Sequence, residues 1–122
     1  FSDCFWILEN ENNEIISFIN GMLTDQENLT DDMYENASMH DADGSWLMIF
    51  SVVTDQKYRD NGYAGMVMRR VIEDMKAEHR SGIVLTCKEK LIGFYSQFGF
   101  KSEGVSVSTH GDAVWYQMRL RM

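Results

Sequence analysis

Small residues between an apolar run and an amphipathic segment indicate a site for a phosphorylated ligand. The apolar and β-branched run Trp46–Thr54 predicts a buried strand, and a long helix is predicted from Tyr63 onward. Gly62, Ala64 and Gly65 lie where that helix begins. The first amides of a helix have no intrahelical acceptor, and its dipole favours negative charge there. Because small residues let phosphates approach the backbone closely, this turn is predicted to hold phosphate groups.

The elements around this turn follow from hydrophobic periodicity. The helix is predicted over Tyr63–Glu78, and Gly82 is predicted to end it. A strand buried on both faces is predicted at Ile83–Cys87, and a short helix at Lys90–Gln97. The apolar positions of the long helix recur at helical spacing and form one stripe: Ala64, Val67, Met68, Val71, Ile72 and Met75.

Two hairpins are predicted to flank this central unit. Cys4–Leu8 and Ile15–Met22 are apolar runs joined by the turn-rich ENENN segment. Val105–Ser108 and Ala113–Leu120 are predicted as the last two strands, joined by Thr109–Asp112. The order β-β-loop-β-α-β-α-β-β predicts a mixed α/β fold with a mostly antiparallel sheet of about six strands and flanking helices.

The segment between residues 23 and 45 is unusually acidic and long. Thr30 is predicted to cap a short helix that runs to about Ala37; otherwise the segment is expected to be a mobile surface loop. Loops of this length are often lids or binding loops, although a plain solvated surface is an open alternative. It contains no Lys or Arg and seven carboxylates: Asp25, Glu27, Asp31, Asp32, Glu35, Asp41 and Asp43.

Composition narrows the class of protein. The 122 residues predict a single domain, residues 1–122, and no apolar run approaches the ~20 residues needed to span a bilayer. The net charge of −8 argues against a nucleic-acid partner. Cys4 and Cys87 do not make a disulfide framework, which favours a reduced cytoplasmic compartment. Cys87 is expected to be buried and unreactive, and His40 and His110 to be loop residues without a role.

Two motifs in the right order carry a resemblance to a known family. Arg59–Ala64 (RDNGYA) fits the signature [QR]-x-x-G-x-[GA], and it lies between a strand and a helix. Gly93–Phe100 (GFYSQFGF) is similar to the segment F-Y-x-x-F-G-F, placed after the next strand. On these motifs the chain resembles the GNAT superfamily of acetyl-CoA-dependent N-acetyltransferases over Cys4–Arg121. The family's usual N-terminal strand and two helices would precede Phe1.

The resemblance implies a cosubstrate, acetyl-CoA, and a set of residues that handle it. Val52, Val53 and Thr54 would pair with the pantetheine arm, and an exposed amide near Val52 or Val53 would face the oxyanion. Tyr95 would protonate the leaving thiolate. No metal is implied. The pyrophosphate would lie on the motif and the start of the helix, where the residues are Arg59, Asp60, Asn61, Gly62, Tyr63, Ala64 and Gly65.

The acceptor is less defined than the cosubstrate. The segment LTCKEKLIGFYSQFGFKSEG is similar to the arylalkylamine N-acetyltransferase branch, which has two strand histidines linked to proton removal. Their places are taken by Met48 and Phe50, which cannot accept a proton and are expected to form core or pocket wall. The base is therefore unassigned, the acceptor is a small-molecule or protein amine, and a homodimer is left open. Two alternatives remain: a non-catalytic acyl-CoA-binding module that acts on a protein partner, and an unrelated phosphate-binding α/β protein.

Overall fold

A computed structural model of the chain describes residues 4–106 and 113–122. The order of elements is the predicted one, and most bounds agree with the sequence to within two residues. The strands are β1 (Phe5–Glu9), β2 (Ile15–Thr24), β3 (Trp46–Thr54), β4 (Gly82–Cys87), β5 (Lys101–Val105) and β6 (Tyr116–Arg121). The helices are α1 (Asp32–Glu35), α2 (Tyr63–Ala77) and α3 (Ile92–Ser96), with short 3-10 turns at Ala37–Met39, Gln56–Tyr58 and Glu89–Leu91.

The six strands form one sheet in the order β1-β2-β3-β4-β6-β5. Only β3 and β4 are parallel among these strands, because α2 connects them as a crossover; the other neighbours are antiparallel. The predicted fold class, a mixed and mostly antiparallel α/β sheet with flanking helices, is confirmed.

Each face of the sheet has its own core. The apolar stripe of α2 packs on one face, where it meets side chains such as Leu47 and Ile49. The other face is covered by the acidic segment, residues 25–45, whose Leu29 and Met33 share a buried cluster with Trp46 and Met48. The acidic segment is therefore packed against the sheet through apolar residues while its carboxylates remain exposed.

A β-bulge interrupts β3 at Phe50. In the β2–β3 register Asn20 faces Ser51 and Gly21 faces Ile49, so Phe50 is one extra residue on β3. A side chain at position 21 would overlap the backbone carbonyl of Met48, so the bulge requires glycine there. The bulge changes the alternation of faces, and Val52 therefore packs against the same core as Ile49.

Strands β3 and β4 separate beyond their first three residues. Their pairing runs from Trp46–Gly82 to Met48–Val84 and then stops, although β3 continues to Thr54 and β4 to Cys87. We call the opening between residues 49–54 of β3 and 85–87 of β4 the gap. One edge of β3 is therefore unpaired there, while its other edge stays paired with β2 through Thr54.

Two sequence expectations about the ends of elements are wrong. His79, with φ 58°, follows the end of α2, whereas Gly82 is the first residue of β4. A Cβ at Gly82 would overlap the carbonyl of Leu120, which explains the glycine by close strand packing instead of helix termination. The short helix α1 is preceded by Asp31 without a side-chain cap, so Thr30 is not its N-cap.

The last hairpin was also misplaced by the sequence. Strand β5 covers Lys101–Val105 instead of Val105–Ser108, and β6 begins at Tyr116 instead of Ala113. All five residues of β5 are exposed, so the strand lacks the apolar alternation by which a strand is found. His110, the end of the predicted strand and the predicted connection Thr109–Asp112 lie at or within residues 107–112, outside the described residues. No described helix has the length and apolar character needed to cross a bilayer.

Candidate active site

An open cavity of about 600 Å³ lies where the end of β3, the start of α2 and the α3 region meet. It contains every site residue expected from the sequence except Asn61. Tyr58, Lys90, Leu91 and Phe94 also line it and were not expected. The expected residues on its wall are Val52, Val53, Thr54, Arg59, Asp60, Gly62, Tyr63, Ala64, Gly65 and Tyr95.

The turn before α2 is held in an uncommon backbone conformation. Asp60 (φ 66°) and Gly62 (φ 79°) both lie in the left-handed region, which a non-glycine residue seldom adopts. The side-chain amide of Asn61 donates to the carbonyls of Tyr58 and Arg59, each at 3.1 Å. Asn61 therefore fixes the turn through its side chain, which is why that side chain is absent from the cavity wall.

Free backbone amides of α2 are brought to the cavity by this turn. The amide of Met66 donates to the carbonyl of Gly62 at 3.2 Å and is the first to have a helical acceptor. The preceding amides of Tyr63, Ala64 and Gly65 have no intrahelical acceptor and carry the positive end of the helix dipole. All three residues line the cavity, so this part of the wall is suited to an anion.

Two cationic side chains add to that character. Arg59 is exposed, and its Nε donates to the carbonyl of Thr54 at 3.3 Å. Lys90 lines the cavity from the opposite side, within the 3-10 turn that precedes α3. The sequence placed Lys90 at the start of a helix next to a recognised motif, which was the only signal that could have identified it. The cavity wall thus carries two cationic side chains and one carboxylate, that of Asp60, although the chain has a net charge of −8.

Tyr95 is buried in an aromatic cluster at the base of the cavity. Only 6% of its surface is exposed, and its ring centroid lies 5.0 Å from that of Phe94 and 6.0 Å from that of Phe100. Burial, and secondarily the nearby Cys87, raises the pKa of Tyr95 to about 12. The hydroxyl is protonated at neutral pH, as that of an ordinary tyrosine also is, and can donate its proton to a stronger base.

The end of β3 presents backbone to the cavity. Val52, Val53 and Thr54 pair with β2 on one side, and on the other side they face the gap. The carbonyl of Val53 already accepts a hydrogen bond from Ser17 Oγ at 2.8 Å, and that of Thr54 accepts one from Arg59. Because these two carbonyls already accept hydrogen bonds, fewer backbone groups of β3 remain free to pair with an extended ligand.

Most of the residues that were not expected to take part in chemistry behave as the sequence predicts. Met48 is fully buried and Phe50 partly buried, both on the sheet face opposite α2, as expected for core or pocket wall. Cys87 is buried, and burial raises the pKa of its thiol, as expected for an unreactive cysteine. His40 differs from expectation because its Nδ1 accepts a hydrogen bond from the amide of Leu23 at 3.1 Å. Within residues 4–106 and 113–122, no three His, Cys, Asp or Glu side chains are grouped so as to hold a metal ion.

Comparison with known proteins shows the family to which this chain belongs. The Acetyltransferase (GNAT) family matches residues 1–100. This chain belongs to that family. The match spans both the motif turn and the Tyr95 segment, the two places on which the sequence resemblance depended.

The individual proteins that this chain matches have low sequence identity to it. The chain is 24% identical over 110 residues to the serotonin N-acetyltransferase of Mesocricetus auratus, which covers 89% of this chain and 52% of that protein. The chain thus spans about half the length of this curated relative. An acetyltransferase from Bacillus cereus superposes with a TM-score of 0.70 at 17% identity, covering 97% of this chain and 71% of that one.

A second solved structure contains the expected cosubstrate. A protein described as a streptothricin acetyltransferase, from Bacillus anthracis, was solved in complex with acetyl coenzyme A. It superposes with a TM-score of 0.66 at 20% identity, covering 97% of this chain and 61% of that one. At this level of identity the similarity establishes the fold.

Proposed function

We propose that this chain transfers the acetyl group of acetyl-CoA to an amine acceptor by direct attack in a ternary complex. The observation that carries the proposal is one cavity that joins free helix amides at Tyr63–Gly65 to a buried, protonated tyrosine, Tyr95. Family membership supports the reaction type, and the acetyl-CoA complex of a protein with the same fold supports the cosubstrate.

In this proposal the cosubstrate lies along the cavity from the turn to the gap. The pyrophosphate accepts hydrogen bonds from the amides of the Asn61–Gly65 region, and Arg59 and Lys90 supply positive charge nearby. The pantetheine arm pairs with the free edge of β3 at Val52–Thr54, as an added strand would. The thioester then lies in the gap, close to Tyr95.

The chemical step needs three groups besides the cosubstrate. The neutral amine attacks the thioester carbonyl carbon, and a backbone amide near Val52 or Val53 stabilises the oxyanion that forms. When the C–S bond breaks, the sulfur takes the proton of Tyr95, and the tyrosinate regains a proton from the attacking nitrogen, which loses it to become the amide. An alkylamine has a pKa near ~10 and must first lose a proton, for which we propose an ordered water chain to a carboxylate.

The proposal also covers the domain organisation, the location, the partners and the acceptor. We propose that residues 1–122 act as a single cytoplasmic acetyltransferase domain without a metal, a nucleic-acid partner or a membrane partner. The match to a serotonin N-acetyltransferase supports an acceptor of the arylalkylamine kind. Met48 and Phe50 occupy the places of that branch's histidines, so proton removal must follow a different route here.

The presence of Met48 and Phe50 in place of two histidines favours one alternative. This alternative is a module that binds acyl-CoA and acts on a protein partner without catalysis. Release of free CoA from acetyl-CoA, measured with purified protein and a panel of small amines, separates the two functions. We expect amine-dependent CoA release together with an acetylated product. Acetyl-CoA binding without any amine-dependent turnover, for small amines and for exposed protein amines alike, would favour the non-catalytic module. The third possibility, an unrelated phosphate binder, is wrong because the chain belongs to the GNAT family.

A further inference from the structure

The gap between β3 and β4 has a second face, opposite the acetyl-CoA cavity. The cavity lies on the α2 side of the sheet, where Val52, Phe94 and Tyr95 belong to the core beneath that helix. The other face belongs to the second core, in which Phe50 and Tyr34 are partly buried. A thioester lying in the gap would therefore be approached from this second face by any acceptor that does not share the acetyl-CoA cavity.

One aromatic side chain lies beside the gap on that face. The ring of Tyr34 packs on the ring of Phe50 in β3, with centroids 4.8 Å apart and an interplanar angle of 39°. Burial raises the pKa of the Tyr34 hydroxyl, and the side chain of Thr86 in β4 acts in the opposite direction. Phe50 and Thr86 both lie beyond the last strand pair, Met48–Val84, so Tyr34 lies against this face where the two strands no longer pair.

The segment that carries Tyr34 is tied to the sheet on both sides of it. Towards its start, the amide of Leu29 donates to Gln117 Oε1 at 3.2 Å, and Arg119 Nη2 donates to Asn28 Oδ1 at 2.9 Å. Towards its end, the amide of Asp41 donates to the carbonyl of Leu23 at 2.8 Å. Tyr34 is thus presented to the gap by an anchored segment.

An unsatisfied acceptor atom lies on the same face. Asn20 faces Ser51 in the β2–β3 register, directly beside Phe50, and its side chain shares a face with Met22 by alternation along β2. Its Oδ1 is buried without a hydrogen-bond partner among the described residues. Buried acceptors are rarely left unpaired, and an N–H donor from a bound amine would satisfy this one.

We propose that Tyr34 is the acceptor-selecting residue of this enzyme. This inference rests on the proposed function and deepens it. Tyr34 and the bulged Phe50 narrow the second face of the gap, so the site takes primary amines with an unbranched carbon next to nitrogen, R–CH₂–NH₂. Amines with a methyl branch at that carbon are excluded because the branch collides with the Tyr34 ring.

The test compares matched amines on wild-type protein and variants. Benzylamine is paired with α-methylbenzylamine, and hexylamine with its α-methyl derivative, and kcat/KM is measured for each. A hydrophobic site discriminates one carbon by roughly tenfold or more, so we expect wild type to favour the unbranched partner by about that factor. Tyr34→Ala should bring each pair within about threefold, by raising kcat/KM for the branched amine.

Two further variants separate selection from general damage. Phe5→Ala removes an exposed aromatic side chain at the far edge of the sheet and should leave the ratio unchanged. Tyr34→Leu replaces the ring with a smaller apolar side chain and should lower the ratio even if Tyr34→Ala fails to fold. A purely structural role would lower both amines equally and leave the ratio at its wild-type value.

The outcomes distinguish this inference from the proposed function. Loss of the preference in the Tyr34 variants, with acetyl-CoA affinity unchanged, supports it. Three results would overturn it. The folded Tyr34→Ala protein could keep the wild-type ratio, or the wild-type protein could show no preference. The protein could also bind acetyl-CoA and turn over neither unbranched amine. Absence of acetyl-CoA binding by wild type would instead overturn the proposed function.

Discussion

The two faces of the gap are built in different ways. The side proposed to hold the cosubstrate is a short continuous stretch, Arg59–Gly65, with a left-handed turn and free backbone amides at the start of α2. The opposite side is assembled from side chains far apart in the chain, Tyr34, Phe50 and Thr86, brought together by an anchored segment. A ligand that is common to a whole family can be bound by the backbone groups of one short motif. An acceptor that differs between members is instead selected by side chains that lie far apart in the sequence.

The largest effect is expected from breaking the cosubstrate side. Gly62→Glu adds a carboxylate where the pyrophosphate is proposed to lie and strains a residue whose φ is 79°. Like charges placed together cost several kcal/mol, so acetyl-CoA affinity should fall about 100-fold or more in isothermal titration. Gly104→Glu is the matched control, because Gly104 also has a positive φ (88°) and open space around its Cβ, but lies outside the cavity. Equal affinities for the two variants would remove the pyrophosphate assignment.

The next largest effect is expected at Tyr95, in the buried part of the same cavity. Tyr95→Phe keeps the packed ring and removes only the hydroxyl, so kcat should fall about 10²-fold while acetyl-CoA affinity is nearly unchanged. Tyr116→Phe makes the same chemical change outside the cavity wall and should have little effect. An unaltered kcat for Tyr95→Phe, with chemistry shown to limit the rate, would exclude Tyr95 as the acid.

A smaller effect is expected from the acceptor side. Replacing Asp31, Asp32 and Glu35 with Asn, Asn and Gln removes three exposed carboxylates from the segment that carries Tyr34. If they attract cationic amines, kcat/KM for the amine should fall a few-fold at low salt, and its salt dependence should weaken. The control neutralises Glu9, Glu11 and Glu73, which gives the same net charge away from that segment. Matching kinetics for the two triple variants would identify the acidic segment as ordinary solvated surface.

The smallest effect is a pH dependence of stability. The pKa of Tyr95 is about 12 in the folded protein against an ordinary value of 10.0. The folded state therefore holds this proton more tightly than the unfolded state, so its contribution to stability is complete below about pH 10. That contribution is lost as the pH rises from about 10 towards 12. Urea midpoints of wild type should accordingly fall more steeply with alkaline pH than those of Tyr95→Phe, and parallel slopes would contradict the shifted pKa.

Much of this architecture could be predicted from the sequence because the signals are local. The stripe of α2, the buried run of β4 and the turn at Gly62 each depend on residues close together in the chain, and each prediction of burial or placement holds. Strand β5 was misplaced because all five of its residues are exposed, which leaves no apolar alternation to recognise.

Features that depend on tertiary contacts could not be predicted. The bulge at Phe50 exists because Gly21, on the neighbouring strand, lets β3 approach closely. Arg119 is buried, bonded to Glu103 and Asn28, and lies 4.7 Å from the ring centroid of Trp46, and no local pattern in the sequence indicates these contacts. The contact between Tyr34 and Phe50 likewise joins two residues that no local sequence pattern connects.

The central claim is that acetyl-CoA lies on the free amides at the start of α2, and an amide-resolved NMR titration with acetyl-CoA tests it most directly. The account predicts that the largest chemical-shift changes occur at Tyr63, Ala64 and Gly65, with smaller changes along Val52–Thr54. A second groove, between β1 and α2 and lined by residues such as Trp6 and Arg70, offers a comparison site. Largest changes in that groove, with Tyr63–Gly65 unmoved at saturation, would contradict the account.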